Sequence, residues 1–212
     1  MYYIKRFFFY LIIVSYSGCI FGQKQLEKVY DAAAIQTVSI ESDEVFDIKI
    51  RAIDTNEITV ITTIEGESYK SSLLHSRLLD DMLIIETGRT PDFTPFNDKL
   101  SAHKVLSIVL EITVPQETNI AINSTLAQVE VEGTIGNLYA NLGRGGCILE
   151  DIRFRESILI NTISGNIYIK TTSARVQAQS RNGTVVIPEQ TNDMKNIILE
   201  SIYGDIVVDK SR

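Results

Sequence analysis

From residue 119 onward, apolar and polar residues alternate in short runs: "NIAINS" at 119–124, "NLYANL" at 137–142, "SILINT" at 157–162, "RVQAQS" at 175–180 and "NIILES" at 196–201. Each run gives way to a short turn and then to a second alternating run, as in "SGNIYI" at 164–169, "NGTVVI" at 182–187 and "YGDIVV" at 203–208. A period of two predicts strands with one buried face. Taking Ser124, Leu142, Thr162, Ser180 and Ser201 as position zero aligns the five copies, with spacings of 18, 20, 18 and 21 residues. Position −4 is then Ile120, Leu138, Ile158, Val176 and Ile197, and position −2 is Ile122, Ala140, Ile160, Ala178 and Leu199. Position +3 is Ala127, Gly145, Gly165, Gly183 and Gly204. Positions +5 (Val129, Cys147, Ile167, Val185, Ile206) and +7 (Val131, Leu149, Ile169, Ile187, Val208) are uniformly apolar.

Each copy reads as strand, tight turn, strand. A single copy cannot bury its apolar side, whereas copies stacked at the inter-strand spacing of about 4.8 Å bury it continuously. The expected fold is therefore all-β, a β-solenoid of rungs with a period of 18–21 residues. The glycine at +3 is expected to supply turn dihedrals that a Cβ would oppose.

The pattern is looser before residue 115. Strand-like runs cover Ile35–Ser42, Val45–Ile53, Glu57–Ile64, Tyr69–Leu74, Met82–Thr87 and Val105–Val114, with a turn near Asp31–Ile35 and a long loop over Gly88–His103. Val38, Ile40 and Ser42 match positions −4, −2 and zero, so the stack is expected to begin there. The organisation is a secretory signal at 1–22, a less regular β region at 23–115 continuous with the stack, and regular repeats at 116–212.

The signal rests on Lys5-Arg6 followed by the apolar run Phe7–Val14, too short to span a membrane. Cleavage before Gln23 would free the chain. Alternatively, Ser17-Gly18-Cys19 resembles a lipobox and would make Cys19 a lipid anchor, although Tyr16 stands where Leu is usual. Export places the protein in the periplasm, at the outer membrane, or at the cell surface. Without the signal the chain has 18 basic and 27 acidic residues, a net charge of −9, which excludes a basic nucleic-acid face. One cysteine remains, so no intrachain disulfide can form. A monomer is expected, because Asp205, Asp209 and Lys210 flank the last strand and would discourage edge pairing.

Few residues carry chemistry. His75 and His103 are 28 apart, outside any two-ligand pattern, and a metal would have to borrow Asp80, Asp81 or Asp98. No cofactor is expected. Cys147 falls on an inward position and reads as a buried small hydrophobe. Gly143-Arg-Gly-Gly146 precedes a strand rather than the helix a phosphate-cradling loop requires. Glu130, Glu132 and Glu150 lie on one outward side with nothing else charged expected beside them, so no catalytic residues are assigned. Position −1 (Asn123, Asn141, Asn161, Gln179, Glu200) suits a stacked amide ladder. Two outward positions are largely apolar: −3, with Tyr139, Leu159 and Ile198, and +6, with Ile148, Tyr168, Val186 and Val207. An apolar outward stripe is covered by something, either residues 29–115 or a partner. Those seven residues are the candidate binding site.

The "SGNIYI"-type units at 164–169, 182–187 and 203–208, with weaker ones at 145–149 and 127–131, resemble the "putative adhesin" family of bacterial exported proteins with an auto-transporter adhesin head-like domain. The lead-in "LEITVPQETNIAINS" at 110–124 is similar as well. The resemblance covers 105–209 well and 35–104 in outline. It implies a β-solenoid at the bacterial envelope that adheres or scaffolds, and it supplies no catalytic residues. The expected function is thus a non-enzymatic exported binding module for an envelope or extracellular protein or glycan. The alternatives are a small carbohydrate-active β-helix enzyme and a structural subunit that self-associates.

Overall fold

The computed structural model describes residues 23–65, 72–89, 107–172, 174–188 and 194–211. The signal segment with Cys19, and most of the 88–103 loop with His103 and Asp98, lie outside the described residues. The chain is all-β, with two large sheets facing each other across one core. Its strands are β1 (Gln23–Asp31), β2 (Thr37–Ser42), β3 (Asp47–Ile53), β4 (Glu57–Glu65), β5 (Ser72–Leu79), β6 (Met82–Arg89), β7 (Ser107–Pro115), β8 (Asn119–Ser124) and β9 (Gln128–Ile135). They continue as β10 (Leu138–Leu142), β11 (Cys147–Phe154), β12 (Ser157–Thr162), β13 (Ile167–Thr171), β14 (Arg175–Ser180), β15 (Val185–Val186), β16 (Asn196–Ser201) and β17 (Ile206–Lys210). Among the described residues one 3-10 turn, Ala32–Ala34, is capped by the Asp31 side chain. The sequence pattern misses β1, and it places β5 three residues early.

One sheet has nine strands in the order β1-β4-β7-β3-β9-β11-β13-β17-β15, and the other has eight, β14-β16-β12-β10-β8-β2-β6-β5. From β7 to β15, and from β14 to β6, every neighbour is parallel. The aligned sequence positions are direct partners: Ile120 pairs with Leu138, Leu138 with Ile158, Ile158 with Ile197, and Ile197 with Val176. Val38, Ile40 and Ser42 likewise pair with Ile120, Ile122 and Ser124. Positions −4, −2, +5 and +7 fill the core and are buried, except Ala178, Val185 and Ile187 in the outermost rung.

Chain order is not stacking order. β2 and β3 sit between the β6/β7 rung and the β8/β9 rung, and β16/β17 sit between β12/β13 and β14/β15. The last strand is therefore covered by β15 at Ile206 and Val207, while Asp209 and Lys210 lie beyond that two-residue pairing. The outermost strands at this end are β15 (Val185–Val186) and β14.

The glycines at +3 do not serve turn dihedrals, because Gly133 is the only described glycine with positive φ. They are required by proximity. A Cβ on Gly145 would lie 1.6 Å from the Ala127 carbonyl oxygen, one on Gly165 would lie 2.1 Å from that of Gly145, and one on Gly204 would lie 1.9 Å from that of Gly165. Each rung seats its glycine against the rung before it. The turns themselves are held by position zero. The Oγ atoms of Ser42, Ser124, Ser180 and Ser201 accept the N–H three residues on, from Val45, Ala127, Gly183 and Gly204, at 2.8–3.2 Å. These are side-chain mimics of a backbone turn. Between rungs, Thr162 Oγ1 donates to the Gly145 carbonyl at 3.1 Å and Ser180 Oγ to that of Gly204 at 2.7 Å. The Ser180 hydroxyl thus both accepts within its own turn and donates to the neighbouring rung.

Candidate functional site

Because the aligned positions of neighbouring strands are direct partners, each outward position becomes a row running across the strands. On the eight-stranded sheet, Ala121, Tyr139, Leu159, Ile198 and Gln177 are successive partners in one row. Tyr139 is 45% exposed and Ile198 39%, and Leu159 between them is half-buried. Two residues further along the same strands, and so on the same side, run Asn123, Asn141, Asn161, Glu200 and Gln179. Within this second row Asn141 Nδ2 donates to Asn123 Oδ1 at 3.3 Å. That is the one side-chain bond between its members among the described residues, so the expected amide ladder stops after a single step. A groove of about 530 Å³ opens over Asn141, Asn161, Glu200 and Gln179, walled by the turn residues Ile163 and Arg181.

The ladder that does form lies elsewhere, at the strand entries. Gln128 Oε1 accepts from Gly146 N at 3.1 Å, Asn166 Oδ1 from Asp205 N at 2.9 Å, and Asp205 Oδ1 from Thr184 N and Oγ1 at 2.7 and 2.8 Å. These bonds hold the Asp205 carboxyl below its ordinary pKa, the Thr184 amide contributing most. The sequence carries the signal for them, Gln128, Asn166 and Asp205 one residue before position +5.

The nine-stranded sheet presents a different outer face. Ile148, Tyr168 and Val207 form its apolar half as direct partners and are half-buried, while Val186 at the edge is exposed. The same row continues through Glu130, Lys49, Glu111 and Ile61. Beside it Glu150 pairs with Glu132 and Glu132 with Arg51, whose guanidinium is hydrogen-bonded to the Glu132 carboxylate. That bond raises the Arg51 pKa, with the charge of Glu132 second. A cleft of about 380 Å³ collects Lys49, Arg51, Glu111, Glu130, Glu132 and Glu150. The sequence reading left these glutamates with nothing basic beside them. The correction follows from β3, about 80 residues earlier in the chain, inserting next to β9 and bringing Lys49 and Arg51 with it.

The other expectations resolve simply. Cys147 is fully buried, and burial pushes its thiol pKa up to about 12, which makes it a core residue. His75 is exposed on β5. The described parts of residues 29–115 extend both sheets sideways rather than folding over the apolar rows, so they do not cover them.

No family model and no curated protein matches the chain. Solved structures do. A crystal structure described as a "putative cell adhesion protein" from Clostridium sporogenes superposes with a TM-score of 0.65 at 12% identity, over 90% of this chain and all of that one. A "putative adhesin" from Bacteroides fragilis gives 0.40 at 11% identity, over 89% and 97% of the two chains. A third, from Parabacteroides merdae, gives 0.32 at 10%. The first of these shares the fold along its whole length.

Proposed function

We propose that the chain is an exported, non-enzymatic, adhesin-like binding module of the bacterial envelope, its two sheets forming the walls of a two-sided β-solenoid. The parallel, in-register pairing of rungs supports the solenoid reading, and the adhesion names of the structural neighbours support the binding reading. One observation carries the function: Tyr139, Leu159 and Ile198 stand outward in a contiguous row that no described part of the chain covers. Apolar rows of this kind mark interaction sites. The carboxylates that a hydrolase would need are instead interleaved with Lys49 and Arg51, which suits solvated ion pairing better than general acid–base work. The chain acts as a monomer: of the four described edge strands, β15 is two residues long and is followed by Pro188, and β1, β5 and β14 carry charged residues (Lys24, Glu27 and Lys28; Arg77; Arg175), features that discourage pairing.

The test is to incubate the exported chain with collagen, fibronectin, laminin and a polysaccharide panel, measuring retention and new reducing ends together. Retention without new reducing ends, lost in Tyr139→Ser/Leu159→Ser/Ile198→Ser, is the expected outcome. Reducing ends that vanish in Glu130→Gln/Glu132→Gln would overturn it in favour of a carbohydrate-active enzyme.

A further inference from the structure

The groove beside the Tyr139 row is polar in a particular way. Its floor places Asn141, Asn161, Glu200 and Gln179 at one register on four adjacent strands, about 4.8 Å from one to the next. The side chains of Asn161, Glu200 and Gln179 make no hydrogen bond to any described residue, and Arg181 contributes only its backbone to the protein's own network. Amides carry both donors and acceptors, a carboxylate accepts only, and a guanidinium donates only. Together they offer the mixed, closely spaced capacity that hydroxyl groups, each a donor and an acceptor, can satisfy. The parallel row of Tyr139, Leu159 and Ile198 lies two residues away on the same face and presents an aromatic ring to apolar ligand surface.

We propose that this groove binds an uncharged glycan chain lying across the strands, with its hydroxyls on the Asn141–Asn161–Glu200–Gln179 row and the C–H face of a sugar ring on Tyr139. The repeat of the row matches a ligand that is itself a repeat, since one extended sugar unit advances by about one inter-strand spacing. An anionic ligand is disfavoured by Glu200 at the centre of the row and by the net charge of −9 left by removing residues 1–22. An extended peptide would add to unpaired main-chain groups at the outer edge of β14, whereas the groove floor also runs over β10, β12 and β16, which already pair on both sides. This inference rests on the binding-module reading and names its ligand class.

The experiment is isothermal titration of the exported chain with cellohexaose, chitohexaose, xylohexaose and mannohexaose, and with a heparin hexasaccharide as the anionic arm. At least one neutral hexasaccharide should bind. Its affinity should fall at least tenfold in Asn161→Ala, Glu200→Ala and Tyr139→Ala, and stay unchanged in Asp209→Ala on the opposite sheet. These side chains are outward, so each variant should melt as the unaltered chain does. Binding that survives both Asn161→Ala and Glu200→Ala would overturn the placement, and preference for the heparin fragment would overturn the ligand class. If no neutral hexasaccharide binds while the chain still holds a matrix protein through the Tyr139 row, the glycan proposal fails and the binding module stands. Retention of nothing would remove both.

Discussion

The β12/β13 rung and the β14/β15 rung carry the same sequence pattern and meet different fates. In the first, Ile158, Ile160, Ile167 and Ile169 are shut between neighbours on both sides and are essentially unexposed. In the second, Val185 and Ile187 occupy the equivalent inward positions and are each 38% exposed, because the rung has only one neighbour. A pattern of alternation specifies which way a side chain points. How far it is buried depends on what stacks above it. The comparison bears on the site as well, since Gln179 and Arg181 at the edge of the groove come from the outermost rung.

The largest contrast should come from the glycines. Ala at Gly165 must push against the Gly145 carbonyl from a rung held on both sides, and is expected to cost about 3 kcal/mol in chemical denaturation. Ala at Gly183 meets the Gly204 carbonyl at 2.2 Å but sits in a rung free to move outward, so a cost nearer 1 kcal/mol is expected. Equal costs would mean that the end rung is as constrained as the middle. Next come the core positions: Ile206→Ala should cost about 3 kcal/mol, and Val185→Ala, its direct partner in register, less than about 1 kcal/mol.

Acid gives a smaller effect. The carboxyl of Asp205 ties Thr184 of the end rung to β17, and its folded pKa lies below the ordinary 3.8. The stabilisation is present above that ordinary value and is lost as pH falls through the folded value. Amide exchange at Thr184 should therefore accelerate in that acid window while exchange in β12 does not, and Asp205→Asn, which has no carboxyl to protonate, should abolish that pH dependence. The smallest expected effect is on association: sedimentation should show one species across concentrations, and a dimer abolished by Val186→Lys would show that the short edge does pair.

Strand positions and facing were legible in the sequence because alternation is a local property. Val38, Ile40 and Ser42 could even be matched to a column more than 80 residues away. The order of the rungs was not legible. All copies carry the same columns, so β16/β17 fits as well outside β14/β15 as inside it, and nothing in the pattern distinguishes the two. The charged cleft was lost for the same reason, since Lys49 and Arg51 reach Glu130 and Glu132 only through the out-of-order insertion of β3. The glycines were recognised as architecture for the wrong physical cause, because proximity to a neighbouring rung leaves no local trace. Of the candidate site, the Tyr139 row was visible, but its neighbour was read as an internal ladder, and the unspent amides emerged only with the geometry.

The function proposed here turns on one outward face rather than the other. The most direct measurement is retention of the purified chain on whichever matrix protein or polysaccharide of the panel holds it, comparing Tyr139→Ser/Leu159→Ser/Ile198→Ser on the eight-stranded sheet with Ile148→Ser/Tyr168→Ser/Val207→Ser on the nine-stranded sheet. Loss in the first variant with retention in the second is the expected result. Retention in the first with loss in the second, or equal loss in both while both remain folded, would contradict it.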